Sequence, residues 1–106
     1  MTQRDVFVVG AARTPIGSFQ GQFATMAAPH LGATAIRGAV QRAGVDPEKI
    51  EQCFMGNVLS AGIGQAPSRQ AAIFAKLPKS VPCVTVSKVC GSGMEAILQG
   101  ARTLML

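Results

Sequence analysis

The chain contains the segment Val84-Thr85-Val86-Ser87-Lys88-Val89-Cys90-Gly91-Ser92-Gly93-Met94-Glu95-Ala96-Ile97. Its first three residues are a β-branched run, which predicts a short buried strand over 83–86. The Gly-Ser-Gly sequence indicates a turn, and apolar residues then recur at helical spacing towards residue 106. The segment therefore predicts a strand, a turn and a helix in succession, with Cys90 in the turn.

Cys90 is expected at the amino end of this last helix. The first N–H groups of a helix lack intrahelical partners and carry a partial positive charge, and a cysteine placed there is favoured as the reactive thiolate. The neighbouring Gly91 and Gly93 leave the sulfur unshielded and let backbone N–H groups approach a carbonyl oxygen. Free cysteine is most often a small buried hydrophobe, so the residue types alone leave a packing role for Cys90 open.

Strand-like and helix-like stretches alternate along the rest of the chain. Strands are predicted over 6–9, 53–59 and 83–86, the second of them ending at Gly56-Asn57 or shortly after. Helices are predicted over 29–43, over 66–76 and after the Gly-Ser-Gly turn. The unbroken apolar character of 6–9 predicts a strand buried on both faces. Gly44 is a natural helix stop, and Asp46 begins a short capped turn. The alternation predicts an α/β fold in which helices cover a largely parallel sheet.

The composition is that of a core-rich globular protein. The 106 residues are 48% hydrophobic and 14% charged, with no apolar run long enough to span a membrane and no signal-peptide pattern. Ten basic residues outweigh five acidic ones, for a net charge of +5, but they are scattered, whereas a nucleic-acid site would cluster them. We expect a cytoplasmic protein that binds neither nucleic acid nor membrane.

Three cysteines and one histidine limit the metal and redox chemistry that the sequence predicts. Cys53, Cys83 and Cys90 form no C-x-x-C pattern, and one histidine is too few for a common zinc site, so no metal site is expected. Cys53 and Cys83 fall inside strand-like runs and are interpreted as packing residues. His30 is interpreted as a surface residue rather than a catalytic base. For Arg13 a functional role stays open, and a buried structural hydrogen-bonding role is preferred.

Four stretches resemble the thiolase family. They are 8–19, Leu31-Gly32-Ala33, Gly56-Asn57-Val58-Leu59 followed by 64–72, and Ser87-Lys88-Val89-Cys90-Gly91-Ser92-Gly93-Met94. The last is similar to the family's nucleophile segment, and the likeness runs in order over the whole chain, nearest to the acetyl-CoA acetyltransferases. Two positions depart from the family pattern: Ser87 stands where many members have Asn, and Glu95 where many have Lys or Arg.

The resemblance implies a thiolase-like αβα fold with a mixed, largely parallel sheet, of which residues 1–106 form the first part of the N-terminal domain, without the C-terminal domain. It implies that Cys90 attacks an acyl-CoA thioester while its backbone N–H helps to hold the oxyanion. The acyl-Cys90 intermediate then condenses with a second acetyl-CoA to give acetoacetyl-CoA and CoA, or the reverse thiolysis occurs.

Further expectations follow from the same resemblance. Coenzyme A thioesters are substrates, no metal or redox cofactor takes part, and the protein is a homo-oligomer, a dimer or tetramer. The histidine that activates Cys90 and the second, acid/base cysteine belong to the family's second half. The resemblance therefore implies that the 106-residue chain by itself is inactive.

Alternatives to this reaction stay open at the level of sequence. A 3-ketoacyl-CoA thiolase of fatty-acid degradation would use the same nucleophile. A condensing enzyme of the ketoacyl-synthase type also places a cysteine at a strand-to-helix turn, but its surrounding residues differ from Cys-Gly-Ser-Gly and it depends on acyl-carrier protein. A truncated thiolase-like module would bind without turnover, because the histidine base and the second cysteine are absent from it.

Overall fold

A two-stranded parallel sheet is the centre of the structure, a computed structural model that describes residues 3–106. The elements in chain order are helix α1 (Ala28–Ala43), a 3-10 turn (Pro47–Lys49), strand β1 (Cys53–Gly56), helix α2 (Pro67–Phe74), strand β2 (Cys83–Val86) and helix α3 (Ser92–Met105). Helix α2 is the crossover that parallel pairing of β1 and β2 requires. From residue 28 onward the predicted alternation of helices and strands is confirmed.

Alternate residues of β1 point to opposite helical layers, as the pleat of a strand requires. On one side, the hydroxyl of Ser68 in α2 lies 3.6 Å from the Cys53 sulfur. On the other side, Phe54 lies against α3, where a Cβ added to Gly100 would be 3.7 Å from its ring. Helix α1 packs on α2. The predicted layering of helix, sheet and helix is therefore confirmed.

The hydrophobic core lies between the sheet, α1 and α2, and its members are small. The buried hydrophobic residues of this cluster are Ala33, Ala72, Ala75, Leu77 and Val81. Cys53 and Cys83 are half-buried, face each other in the register of the two strands and pack against this cluster. Their predicted role as packing residues is confirmed.

Local signals end the elements close to the predicted places. Gly44 ends α1 in the left-handed conformation, with φ of +66°, and its N–H bonds the Gln41 carbonyl. The Asp46 carboxylate accepts a hydrogen bond from the Glu48 N–H at 3.0 Å and caps the 3-10 turn. Strand β1 ends at Gly56, within the predicted end at Gly56-Asn57 or shortly after. The Asn57 side chain then bonds the Ser60 hydroxyl at 3.0 Å in the loop that follows.

Residues 6–9 form no strand, so this prediction is wrong. The side chains from Phe7 to Val9 are between 67% and 84% exposed. A strand is defined by hydrogen bonds to a neighbouring strand, and within residues 3–106 the sheet contains only β1 and β2. The segment that follows lies along α1, where the Arg42 guanidinium donates to the Ala11 carbonyl at 2.8 Å.

None of the helices between residues 3 and 106 has the length and apolarity needed to cross a membrane.

Candidate active site

Cys90 lies in the turn between β2 and α3, where the sequence predicts it. Strand β2 ends at Val86, and α3 begins at Ser92 and runs for 14 residues. Cys90 is exposed to solvent and unpaired with another cysteine. The residue thus lies on the surface at the amino end of a long helix, where the helix dipole stabilises a negatively charged group.

Ser92 ties the two sides of this turn together. Its hydroxyl accepts a hydrogen bond from the Lys88 N–H at 2.7 Å and donates one to the Val89 carbonyl, also at 2.7 Å. The Gly91 N–H donates to the Lys88 carbonyl at 3.0 Å. Ser92 is only 3% exposed. The backbone on either side of Cys90 is therefore closed by hydrogen bonds from within the turn.

Val89 has a left-handed backbone, with φ of +47°. This region costs an L-residue roughly 1–2 kcal/mol, and a β-branched residue is rarely found there. The Val89 side chain is 68% exposed, so packing does not hold it in this conformation. The hydrogen bonds of the turn must do so, and the strain lies directly before Cys90.

The end of β1 lies directly against this turn. A Cβ added to Gly56 would come within 2.5 Å of the Ser92 carbonyl carbon and 2.6 Å of the Gly93 nitrogen. Only glycine allows two backbones to approach so closely. The sequence predicts Gly56 as a strand end but not this contact, although a glycine in a strand is a signal for such an approach.

The two glycines that flank Ser92 are not required by packing within this chain. A Cβ added to Gly93 would meet nothing within 4 Å, and one added to Gly91 would come no closer than 3.5 Å to the Lys88 carbonyl. Neither has a positive φ. The predicted openness of the turn around Cys90 is confirmed.

Glu95 lies one turn into α3 and is surrounded by polar partners. Its carboxylate is 3.4 Å from the Lys88 ammonium and 3.3 Å from the Arg102 guanidinium. The hydrogen bond with Gln99, followed by Lys88 and Arg102, holds the pKa of this carboxyl below its usual value. Two cations thus offset the negative charge that departs from the family pattern at position 95.

Cys53 and His30 are committed to packing contacts elsewhere. Burial is the main cause that raises the pKa of the Cys53 thiol, which disfavours its thiolate. His30 is exposed, as predicted, and its ring stacks on Phe74 with centroids 4.4 Å apart and planes 4° apart. Within residues 3–106, no three side chains of the metal-ligating types come together.

Arg13 is exposed, so its predicted burial is wrong. Its guanidinium donates to the carbonyl of the adjacent Thr14 at 3.0 Å. The reason is that the N-terminal loop lies over the surface of α1 rather than inside the fold.

Gln70 of α2 anchors the glycine-rich loop that precedes this helix. Its amide donates to the Ile63 carbonyl at 2.8 Å and to the Gln65 carbonyl at 2.7 Å. Gly64 in this loop has φ of +84°. The loop is therefore shaped by hydrogen bonds from α2.

The whole-chain comparison agrees with this geometry. Residues 6–106 match the family profile described as "Thiolase, N-terminal domain". The chain is 54% identical over 101 residues to a cytosolic acetyl-CoA acetyltransferase of Gibberella zeae, covering 95% of this chain and 26% of that protein. It is 50% identical over 104 residues to the mitochondrial acetyl-CoA acetyltransferase of Homo sapiens, covering 98% of this chain and 24% of that protein.

A solved structure shows the same fold. The thiolase of Ascaris suum, crystallised in complex with coenzyme A, superposes with a TM-score of 0.92 at 43% identity, over 94% of this chain and 26% of that chain. The chain spans about a quarter of the length of the relatives it matches. From the profile match, the identities and the shared fold it follows that this chain belongs to the thiolase family.

Proposed function

We propose that this chain carries the nucleophile, Cys90, of an acetyl-CoA acetyltransferase, and that residues 1–106 form the first part of its N-terminal domain. The observation that carries the proposal is the exposed Cys90 at the amino end of α3. Relatives with about half of the residues in common are named acetyl-CoA acetyltransferases. A thiolase with the same fold was crystallised with coenzyme A, which favours acyl-CoA as the substrate class.

The chemistry proposed for Cys90 has two steps. Its thiolate attacks the thioester carbonyl of acetyl-CoA, a carbon–sulfur bond forms, and CoA leaves as its thiolate. The Cys90 N–H stabilises the oxyanion of the tetrahedral intermediate. The methyl carbon of a second acetyl-CoA, after losing a proton to a base, attacks acetyl-Cys90, which releases the Cys90 thiolate and acetoacetyl-CoA.

The base and the acid of this reaction are proposed to come from the rest of a longer protein. His30 is stacked on Phe74, and Cys53 and Cys83 pack against the core, so these side chains have structural contacts. The chain spans about a quarter of its relatives' length. We therefore expect residues 1–106 alone to show no turnover.

The cellular setting forms part of the same proposal. We propose that the protein is cytoplasmic, with support from the cytosolic relative of Gibberella zeae. We also propose that it assembles as a homotetramer built from dimers. Light scattering on protein isolated from its source cells tests the assembly. Fractionation of those cells tests the compartment, and recovery in the mitochondrial fraction would contradict the placement.

Acetyl transfer to Cys90 can be tested directly. The protein isolated from its source cells is incubated with acetyl-CoA, and its peptides are analysed by mass spectrometry. We expect one acetyl group, on Cys90, and none in the Cys90→Ser variant. Cys83→Ser is the matched control and should retain the label, since this thiol faces the core. An acetyl group on Cys53 or Cys83, or none at all, would show that the proposal is wrong.

A further inference from the structure

We propose that Ser92 is a positioning residue for Cys90: its hydroxyl holds Val89 in the left-handed conformation and so orients both the thiol and the backbone N–H of Cys90. The inference rests on the proposed role of Cys90 as the nucleophile. It adds a residue whose contribution is made through the backbone, without contact with the substrate.

The two hydrogen bonds of Ser92 enclose the strained residue. One partner is the N–H of Lys88 and the other is the carbonyl of Val89, each at 2.7 Å from the same hydroxyl oxygen. The dihedral angles of Lys88 and Val89 lie between these two groups. The N–H groups of Ser92 and Gly91 also donate, to the carbonyls of Val89 and Lys88 at 3.2 and 3.0 Å. The buried hydroxyl oxygen therefore acts together with these backbone bonds to keep the φ of Val89 positive.

The bond to the Val89 carbonyl also sets the direction of the Cys90 N–H. The Val89 carbonyl and the Cys90 N–H belong to one planar peptide unit. If φ of Val89 returned to negative values, this plane would rotate and carry the Cys90 N–H with it. The Cys90 N–H, the donor proposed for the oxyanion, is therefore oriented by Ser92, whose hydroxyl and backbone N–H both donate to the Val89 carbonyl; the hydroxyl makes the shorter bond.

The choice of valine at position 89 makes the hydroxyl necessary. Glycine adopts a positive φ without steric cost, whereas valine does not. The exposed Val89 side chain gains little from packing that would offset the strain. The need for Ser92 should thus depend on which residue occupies position 89, and this dependence separates positioning from a general structural role.

The test is a double-mutant cycle of Ser92→Ala and Val89→Gly in the intact protein. Two rates are measured for Cys90, acetylation by acetyl-CoA in a single turnover and alkylation by iodoacetamide. We expect Ser92→Ala alone to lower the acetylation rate about tenfold, because small displacements of reacting groups are costly. In the Val89→Gly background the same substitution should lower it less than about twofold, since glycine tolerates the conformation. Alkylation should change in the same direction.

Further variants separate the loss of the Ser92 hydroxyl from other effects of substitution. Ser92→Thr keeps the hydroxyl and should retain most of the rate. If Ser92→Ala does not fold by circular dichroism, Ser92→Gly, which also removes the hydroxyl, takes its place in the cycle. Ser80→Ala removes an exposed hydroxyl from a loop before β2 and is the matched control. Equal losses from Ser92→Ala in the two backgrounds, or no loss in either, would overturn the inference. If the proposed function is wrong, Cys90 of the unmutated protein accepts no acetyl group. The alkylation rates of the four proteins in the cycle would still show whether Ser92 positions Cys90.

Discussion

Gly56 and Gly93 lie against each other, but only Gly56 lacks space for a side chain. A Cβ on Gly56 would come within 2.6 Å of the Gly93 nitrogen, whereas one on Gly93 would meet nothing within 4 Å. We expect Gly56→Ala to lower the free energy of unfolding by about 1–3 kcal/mol, as overpacking does. Gly93→Ala should be neutral or slightly stabilising. Urea unfolding followed by circular dichroism measures both, and equal effects would contradict the close contact.

Glu95 makes the stability of the fold depend on pH in acid. Its pKa is below the usual 4.5, first because of Gln99 and then because of Lys88 and Arg102. The native state therefore favours the carboxylate, so its contribution is fully present above pH 4.5 and is lost as the pH falls through the native pKa.

The expected result is a difference in melting temperature between the unmutated protein and Glu95→Gln. This difference should be largest near neutral pH and should shrink as the pH falls below about 4.5 and as salt is added. Glu51→Gln, at an exposed carboxylate, is the control. A difference that stays constant across the acid range would show that the ion pairs contribute nothing.

Helix α2 fixes the approach to β2 through one side chain. The Arg69 guanidinium donates to the Val81 carbonyl at 3.0 Å and to the Lys79 carbonyl at 2.8 Å. Lysine lacks this planar fork, so Arg69→Lys should lower the free energy of unfolding by about 1–3 kcal/mol. The control is Arg37→Lys, an exposed side chain with one carbonyl bond, to Phe74 at 3.0 Å. A larger loss in the control would contradict this role of Arg69.

Short-range sequence signals predict where helices and turns begin and end. Gly44 caps the carboxyl end of α1, and Asp46 caps the start of the 3-10 turn. Both signals act within a few residues. The run at 6–9 has the composition of a buried strand, but composition does not supply a hydrogen-bonding neighbour. Periodicity therefore predicts the helices and the paired strands well and fails for a segment whose state depends on a distant partner.

Apolar side chains cover part of the surface of the whole molecule. Most apolar side chains that are more than half exposed lie in the N-terminal segment and in or just after α3, at Phe7, Val8, Val9, Ile16, Phe19, Met94, Ile97, Leu104 and Leu106. Leu59 and Val89 are the others, in the loops after β1 and β2. Exposed apolar area of this extent marks a surface that other protein covers or that promotes association.

We therefore expect the 106-residue chain, expressed alone, to bind the dye ANS and to self-associate in light scattering. Val8→Lys should reduce both signals, because Val8 is 84% exposed. Gln22→Lys adds the same charge at an exposed polar position and should change them little. A monomeric chain that does not bind the dye would contradict the prediction that these exposed apolar side chains promote association.

Much of this protein is determined by its sequence alone. The order of helices and strands, the position of Cys90 between β2 and α3 and the resemblance to thiolases all depend on local spacing and motifs, which act over a few residues. Only the tertiary structure revealed the contact of Gly56 with the start of α3, because residues far apart in the chain create it. It also revealed the left-handed Val89 held by Ser92, a conformation that the intrinsic preference of valine opposes and that hydrogen bonds in the folded turn enforce.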